Sequence, residues 1–216
     1  MKVLIACEES QAVCIAFRER GHEAYSCGIQ SCSGSHPEWH IQDDALKIIR
    51  WGWDVIIAHP PCTYLSNLGA NHLYMGEETI FRPKGQFPND EFRLMNEGRI
   101  RKAILARDFF LAMLNAPCER VAVENPVPSA IWELPEPTQC IQPFFFGDPY
   151  KKKTYLWLRG LPPLVPTDIV EPTGLWVDGG HGKTTKMKTF SFRDPKTRSK
   201  TFPGIANAMA EQWGNL

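Results

Sequence analysis

No stretch of about 18 consecutive apolar residues occurs in the chain, so the sequence contains no hydrophobic membrane-spanning helix. The N-terminal Met1-Lys2-Val3-Leu4-Ile5 lacks the apolar middle and cleavage site of a secretory signal and runs straight into strand-like sequence; a cytoplasmic protein with no membrane partner is the expectation. An even, regularly spaced cysteine set is also missing. The seven cysteines are scattered, which fits reduced thiols better than a disulfide framework. Net charge is absent too, with 24 Lys+Arg against 24 Asp+Glu, but the balance is local. Residues 151 to 200 hold 11 Lys+Arg and 4 Asp+Glu, leaving 13 and 20 for the rest. That basic stretch is interleaved with Tyr155, Trp157, Trp176, Phe190 and Phe192, a composition suited to a phosphate backbone and stacked bases, or to a solvated lysine-rich surface over core aromatics.

At 216 residues with 43% hydrophobic content, the chain can close a sizeable core as one domain, 1–216. Val3-Leu4-Ile5-Ala6 has strand length, and Ser10 to Gly21 follows as a helix with Ser10 as N-cap and a closing glycine. His22 to Cys27 suits a second strand, Asp44 to Arg50 a helix, and Asp54 to Ala58 a third strand that is apolar on both sides. Such alternation predicts an α/β fold, a Rossmann-like mostly parallel sheet with helices on both faces. Residues 67 to 92, with Gly69, Gly76 and Gly85, read as a mobile loop. A long helix over Asn96 to Asn115 follows, burying Ile100, Ile104, Leu105, Phe109, Leu111 and Met113 and turning Arg99, Arg101, Lys102 and Arg107 largely elsewhere. Arg120 to Val123 and Thr154 to Leu158 read as strands and Ile205 to Trp213 as regular structure. Residues 160 to 200 form a small irregular C-terminal appendage, read as a DNA-contacting insertion.

Two strand ends carry residues that packing does not explain. One delivers His59-Pro60-Pro61-Cys62-Thr63-Tyr64-Leu65-Ser66, placing a cysteine after a Pro-Pro pair where open α/β sheets bind ligands. The other delivers Glu124-Asn125-Pro126, a carboxylate whose ionisation burial and a substrate can tune. A cysteine and a carboxyl group facing one crevice can serve as a nucleophile and its proton partner. Taken singly, Cys62 could be inert, Glu124 could pair with Arg120, and Lys151, Lys152 and Lys153 could be ordinary surface charge.

Pro60-Pro61-Cys62 with Ser66 resembles the nucleophile motif of cytosine-C5 DNA methyltransferases, and Glu124-Asn125-Pro126 resembles their Glu-Asn-Val motif, in the same order. Phe146-Gly147-Asp148-Pro149-Tyr150-Lys151-Lys152-Lys153 is similar to their Tyr-Gly-x-Pro-Gln segment, and Gly204 to Glu211 to their closing Gly-Asn motif. Small phage-borne members look similar over essentially the whole chain. The resemblance implies a class I methyltransferase-like fold and methyl transfer to cytosine C5 in DNA. It makes Cys62 the nucleophile and Glu124 the N3 partner, with its pKa raised on burial beside the base; Asn125 organises the turn and Arg120 orients the base. Ser66, Lys151, Lys152 and Lys153 become DNA contacts.

The resemblance further implies S-adenosylmethionine, bound around Ala6, Glu8, Ser10, Gln11, Asp43, Asp44, Pro60 and Asn207. A helix starting at Ser10 directs its amides at the methionine carboxylate, and Glu8 meets the ammonium. This sequence departs from the pattern in its first turn, Ala6-Cys7-Glu8-Glu9-Ser10-Gln11, which has no glycine, and after the second strand, where Cys27-Gly28 stands in place of an acid that Glu23 or Glu38 would replace. Thr63 holds a glutamine position, and Tyr150 and Thr154 replace a glutamine and an arginine. Two other readings stay open: a pyrimidine-modifying enzyme using another one-carbon donor, and a non-catalytic DNA-binding or inhibitory protein on the same scaffold. Cys27, Cys32, His36 and His40 supply four ligand types for a structural zinc or pack as an ordinary loop.

Overall fold

The computed structural model describes residues 1–67, 69, 73, 97–175, 188–189, 197 and 199–216. In chain order the principal elements are β1 (Lys2–Ala6), α1 (Ala12–Glu19), β2 (Glu23–Gly28), β3 (His40–Gln42), α2 (Ala45–Ile48), β4 (Val55–Ala58), α3 (Glu97–Leu114), β5 (Val121–Pro126), β6 (Gln139–Ile141), β7 (Tyr150–Lys151), β8 (Thr154–Arg159), β9 (Gly174–Leu175), β10 (Lys188–Thr189) and α4 (Pro203–Trp213). No helix among the described residues is long and apolar enough to cross a membrane. Most of the loop expected over 67 to 92 lies outside the described residues, as do Trp176, Phe190 and Phe192.

The main sheet has seven strands in the order β3-β2-β1-β4-β5-β8-β6. From β3 across to β5 neighbouring strands are parallel, as expected of strands joined through helical crossovers. β8 runs antiparallel to β5, and β6 antiparallel to β8. The chain starts on the central β1, works outward to β3, then returns to the other side of β1 with β4. Between β1 and β4 the order reverses, the position at which open sheets of this kind bind ligands, outside the carboxyl ends of the strands. A second, small sheet has the order β10-β9-β7.

Alternation along the strands divides the core in two. Val3, Ile5, Val55, Ile57 and Ala122 pack against α1 and α4, whereas Leu4, Ala6, Ile56, Ala58, Val121 and Val123 pack against α2 and α3. Helices therefore cover both faces. Ala103, Phe110 and Met113 of α3 are buried, the last as expected, and the expected Ile100, Phe109 and Leu111 pack partly buried against the same core, while Ile104 and Leu105 are exposed against expectation. Spacings of seven and three residues hold the first set on one stripe, and Arg107 lies beside it with Nε donating to the Trp132 carbonyl at 2.7 Å. Apolar content alone was a poor guide to that face.

Where α4 begins, Gly204 packs directly on the segment before β7. Its amide donates to Asp148 Oδ2 at 3.0 Å, and a Cβ there would lie 1.8 Å from the Phe146 carbonyl oxygen. Backbone cannot retreat as a side-chain tip can, so Gly204→Ala is expected to destabilise the protein by about 2 kcal/mol. A lowered urea midpoint with an unchanged slope would report it.

Candidate active site

Beyond Ala58, the His59 amide donates to the Ala6 carbonyl at 2.9 Å, holding β4's exit against β1. Pro60 and Pro61 have no amide hydrogen, so the chain leaves the ladder there. Pro60 is buried, and Cys62 is partly exposed. The Cys62 carbonyl accepts from the amides of Leu65 and Ser66 at 3.1 and 3.0 Å, closing a turn behind the thiol. That turn is laced to the chain leaving β5: Asn67 N–H donates to Val127 O at 3.0 Å, Ser129 N–H to Leu65 O at 2.8 Å, and Ser66 bridges Pro128. From α3, Arg99 donates to the carbonyls of Thr63 and Gly69 at 3.4 and 3.0 Å and lies over the Tyr64 ring. The loop bearing Cys62 is thus fastened on both sides. Ser66 contributes to this internally, its Oγ accepting from the Gly69 amide at 3.2 Å.

Glu124 and Asn125 stand within β5, one strand over from His59, and not beyond its end as the apolar run Arg120 to Val123 suggested. Pairing with Thr154, Tyr155 and Leu156 of β8 carries the strand further than its hydrophobic pattern does. Parallel register sets Ala58 beside Val123, so the following pair, His59 and Glu124, meet: Nδ1 lies 3.3 Å from Oε2, with side chains only 10% and 17% exposed. Burial pushes the Glu124 carboxyl up, but the His59 hydrogen bond, the Lys152 ammonium and the Thr154 hydroxyl outweigh it and hold it below the ordinary range. The rise expected from the sequence is therefore corrected for the ligand-free chain, because the partners come from β4 and β8 and cannot be read beside Glu124. His59 and Thr154 are the site residues that sequence reasoning did not assign; only a nitrogen ligand one position past β4's apolar run hinted at the first.

Since folding lowers the Glu124 pKa, its ionised form stabilises the fold; that contribution is complete above the ordinary value of 4.5 and is lost as pH falls through the lower folded value. Glu8 works in the opposite sense. Burial raises its pKa despite the His59 charge and the Val13 and Cys14 amides, so its ionised form costs stability as pH rises. Comparing wild type with Glu124→Gln removes the shared Glu8 contribution. The wild type is expected to lose more stability on acidification below pH 4.5, so the two melting temperatures converge in acid.

Asn125 is fully buried on the opposite side of β5, and neither end of its amide has a hydrogen-bond partner among the described residues. It sits in the ladder opposite Tyr155, which corrects its assignment to a turn. Arg120 precedes β5, with its carbonyl accepting from Ile56 N–H at 2.9 Å. Four extended residues, about 13 Å, separate it from Glu124, so it lies toward the other edge of the sheet and does not orient a ligand in this crevice.

At the first turn, Cys7 and Gln11 adopt φ of 63° and 62°, supplying without glycine the left-handed conformations the bend needs. Gln11 and not Ser10 is the helix N-cap residue, and it makes no side-chain cap bond. Instead Glu8 reaches back: Oε1 and Oε2 accept from the amides of Val13 and Cys14 at 2.7 and 3.2 Å. It therefore occupies the anion position expected for a bound carboxylate and is not turned toward an ammonium. The Gln11 amide is also committed, clipping His36 through two bonds of 2.7 and 3.1 Å. Ala6, Glu8, Pro60 and Asp44 follow the carboxyl edge of β1, β3 and β4. Asp44 Oδ1 caps α2 at Leu46 N–H, and Asp43 pairs with Lys47. Asn207 is exposed on α4, 3.3 Å from Arg20 past the far end of α1, because α4 packs along α1 away from the crevice.

Three of the four candidate zinc ligands are engaged separately, and Cys32 is a partly exposed free thiol. Cys27 Sγ faces the Asp43 carbonyl, His36 stacks on Trp39, and His40 lies between Ser26 Oγ and the Gln30 carbonyl; among the described residues no group of three or more such side chains could hold a metal. The lysine triplet also divides. Lys151 and Lys153 are exposed, while Lys152 is partly buried above the Phe202 ring and acts on Glu124.

No protein-family model matches the sequence, and no curated protein matches it. Among solved structures, the chain is similar to a protein assigned as a DNA modification methyltransferase encoded within an E. coli prophage, at 13% identity and a TM-score of 0.45, covering 79% of this chain and 52% of that one. It is also similar to a mutant of Spodoptera frugiperda DNMT2, at 14% identity and a TM-score of 0.35, covering 79% and 54% respectively. The chain spans about half the length of each of these structures.

Proposed function

We propose that this chain is a cytosine-C5 DNA methyltransferase-like enzyme, with Cys62 as nucleophile and Glu124 as the group that holds the pyrimidine's N3. The observation that carries the reading is the double fastening of two segments at the sheet's switch point. His59, just past β4, meets Glu124 within β5, and the turn that begins at Cys62 is hydrogen-bonded to the residues just after β5. A ring entering the crevice would meet thiol and carboxyl together. The Cys62 thiolate forms the S–C6 bond, the C5–C6 π pair moves onto C5, and charge spreading through C4 to N3 is met by a proton delivered through Glu124. After the methyl group is acquired, C5 loses its proton to a base and the returning pair expels the thiolate. A base in a duplex must leave its stack to reach Cys62, and Lys151 and Lys153 would take backbone phosphates.

S-adenosylmethionine would supply an electrophilic methyl group. The residues fit it along the edge of β1 and β3, where the left-handed turn and Asp43 and Asp44 would hold its nucleoside end. They do not fit a carboxylate docked on α1, because Glu8 takes those amides. That one observation favours a second reading, a pyrimidine-modifying enzyme with a different one-carbon donor. Mass spectrometry of DNA from cells expressing the protein tests both. 5-Methylcytosine that disappears with Cys62→Ala supports methyl transfer, another cytosine modification supports the alternative, and unmodified DNA rejects the leading reading.

A further inference from the structure

His59 ties the two halves of the switch point together. Its backbone is bonded to β1 and its Nδ1 to Glu124 on β5, while its ring acts on the buried Glu8 carboxyl. An ionised carboxylate can only accept, so Nδ1 carries the hydrogen toward Oε2. The other ring nitrogen, Nε2, is buried and has no hydrogen-bond partner among the described residues. A buried orphaned nitrogen costs free energy that folding alone does not recover, and such groups cluster where a ligand completes them. Ionised Glu124 has no proton of its own to give N3, which leaves the reaction above short of a donor.

We propose that His59 is the proton-holding positioning residue of the site: its imidazolium passes the Nδ1 proton to Glu124 Oε2, and Glu124 delivers a proton to the ring nitrogen of the bound pyrimidine. The inference rests on the preceding functional reading. One N–H bond breaks at His59 and one O–H bond forms at Glu124; the carboxyl then protonates N3 as sulfur adds to C6. When the thiolate leaves, N3 returns the proton along the same route, so the cycle is balanced. The charged and titratable groups around the pair are Glu8, with Glu9 beside it, from the turn after β1, Glu124 from β5 and Lys152 from the turn before β8. Thr154 supplies a neutral hydroxyl to Glu124. Lys152, whose charge favours the ionised carboxylate, keeps Glu124 ready to give the proton up again.

Activity should therefore fall on the alkaline side as the His59–Glu124 pair loses its shared proton, and rise from the acid side as the thiol ionises. The test measures methylation kcat/KM from about pH 5.5 to pH 9 for wild type, His59→Asn and Cys62→Ala, with capture of 5-fluorocytosine DNA as a second readout. His59→Asn keeps a donor for Glu124 but cannot release its proton. It is expected to lose the alkaline limb and about a hundredfold in rate while the DNA still binds. A wild-type profile in His59→Asn overturns the inference and leaves the methyltransferase reading standing; a wild type that neither modifies cytosine nor forms a Cys62 adduct overturns both. If His59→Asn does not fold, nitrogen NMR of the wild-type imidazole in the 5-fluorocytosine DNA complex decides. A doubly protonated His59 ring before adduct formation supports the assignment, and a ring neutral throughout rejects it.

Discussion

Cys62→Ala is expected to lower turnover on cytosine-containing DNA by more than about a thousandfold, at least 4 kcal/mol of transition-state stabilisation. Without the thiol no S–C6 bond forms, and C5 keeps its poor nucleophilicity whatever Glu124 does at N3. Stability should change little. The side chain is partly exposed, and the turn around it is made by backbone groups of Leu65, Ser66, Asn67 and Ser129 that alanine retains. DNA affinity should likewise survive, because the exposed Lys151 and Lys153 are untouched. Single-turnover methylation, read beside a melting curve, separates chemistry from folding. Cys62→Ser is the sharper control: its hydroxyl occupies the same place but ionises far less readily. A serine form with wild-type turnover would remove the nucleophile assignment altogether.

Trp213→Ala should have the largest effect on the fold, about 3–5 kcal/mol. The indole is fully buried at the end of α4 in the core shared with α1 and β1, and its Nε1 donates to the Pro162 carbonyl at 3.0 Å. Truncation leaves a large cavity and an acceptor without its donor, two separate costs. Against a typical stability of about 5–15 kcal/mol, that loss brings a domain close to unfolding at room temperature. Trp213→Phe, which refills most of the volume but not the hydrogen bond, should fall between. Urea unfolding gives the order directly, and an alanine form as stable as wild type would mean that α4 does not close this face.

The comparison of Glu8 with Glu124 explains why the two carboxylates of the crevice differ. Glu8 is buried and Glu124 nearly so, and His59 acts on both, but Glu8 adds only two neutral amides while Glu124 adds a direct His59 hydrogen bond, a hydroxyl and an ammonium, so burial prevails at one and partners prevail at the other. Nothing adjacent to either residue in sequence distinguishes them. The same holds for Asn207, which the chain order places near the end of the fold but packing sets beside Arg20.

The sequence by itself determined the α/β class, the parallel central strands and the two segments on which the proposed chemistry stands. Apolar runs that alternate with helical spacing admit few other arrangements, and Glu124 directly follows one such run while Cys62 comes four residues after another. Tertiary structure alone decided which groups surround those two. Strand order brought His59 to Glu124, the antiparallel β8 and the turn before it added Thr154 and Lys152, and Glu8 took the amides at the start of α1. Such contacts depend on register and direction between segments distant in the chain, which local periodicity does not encode.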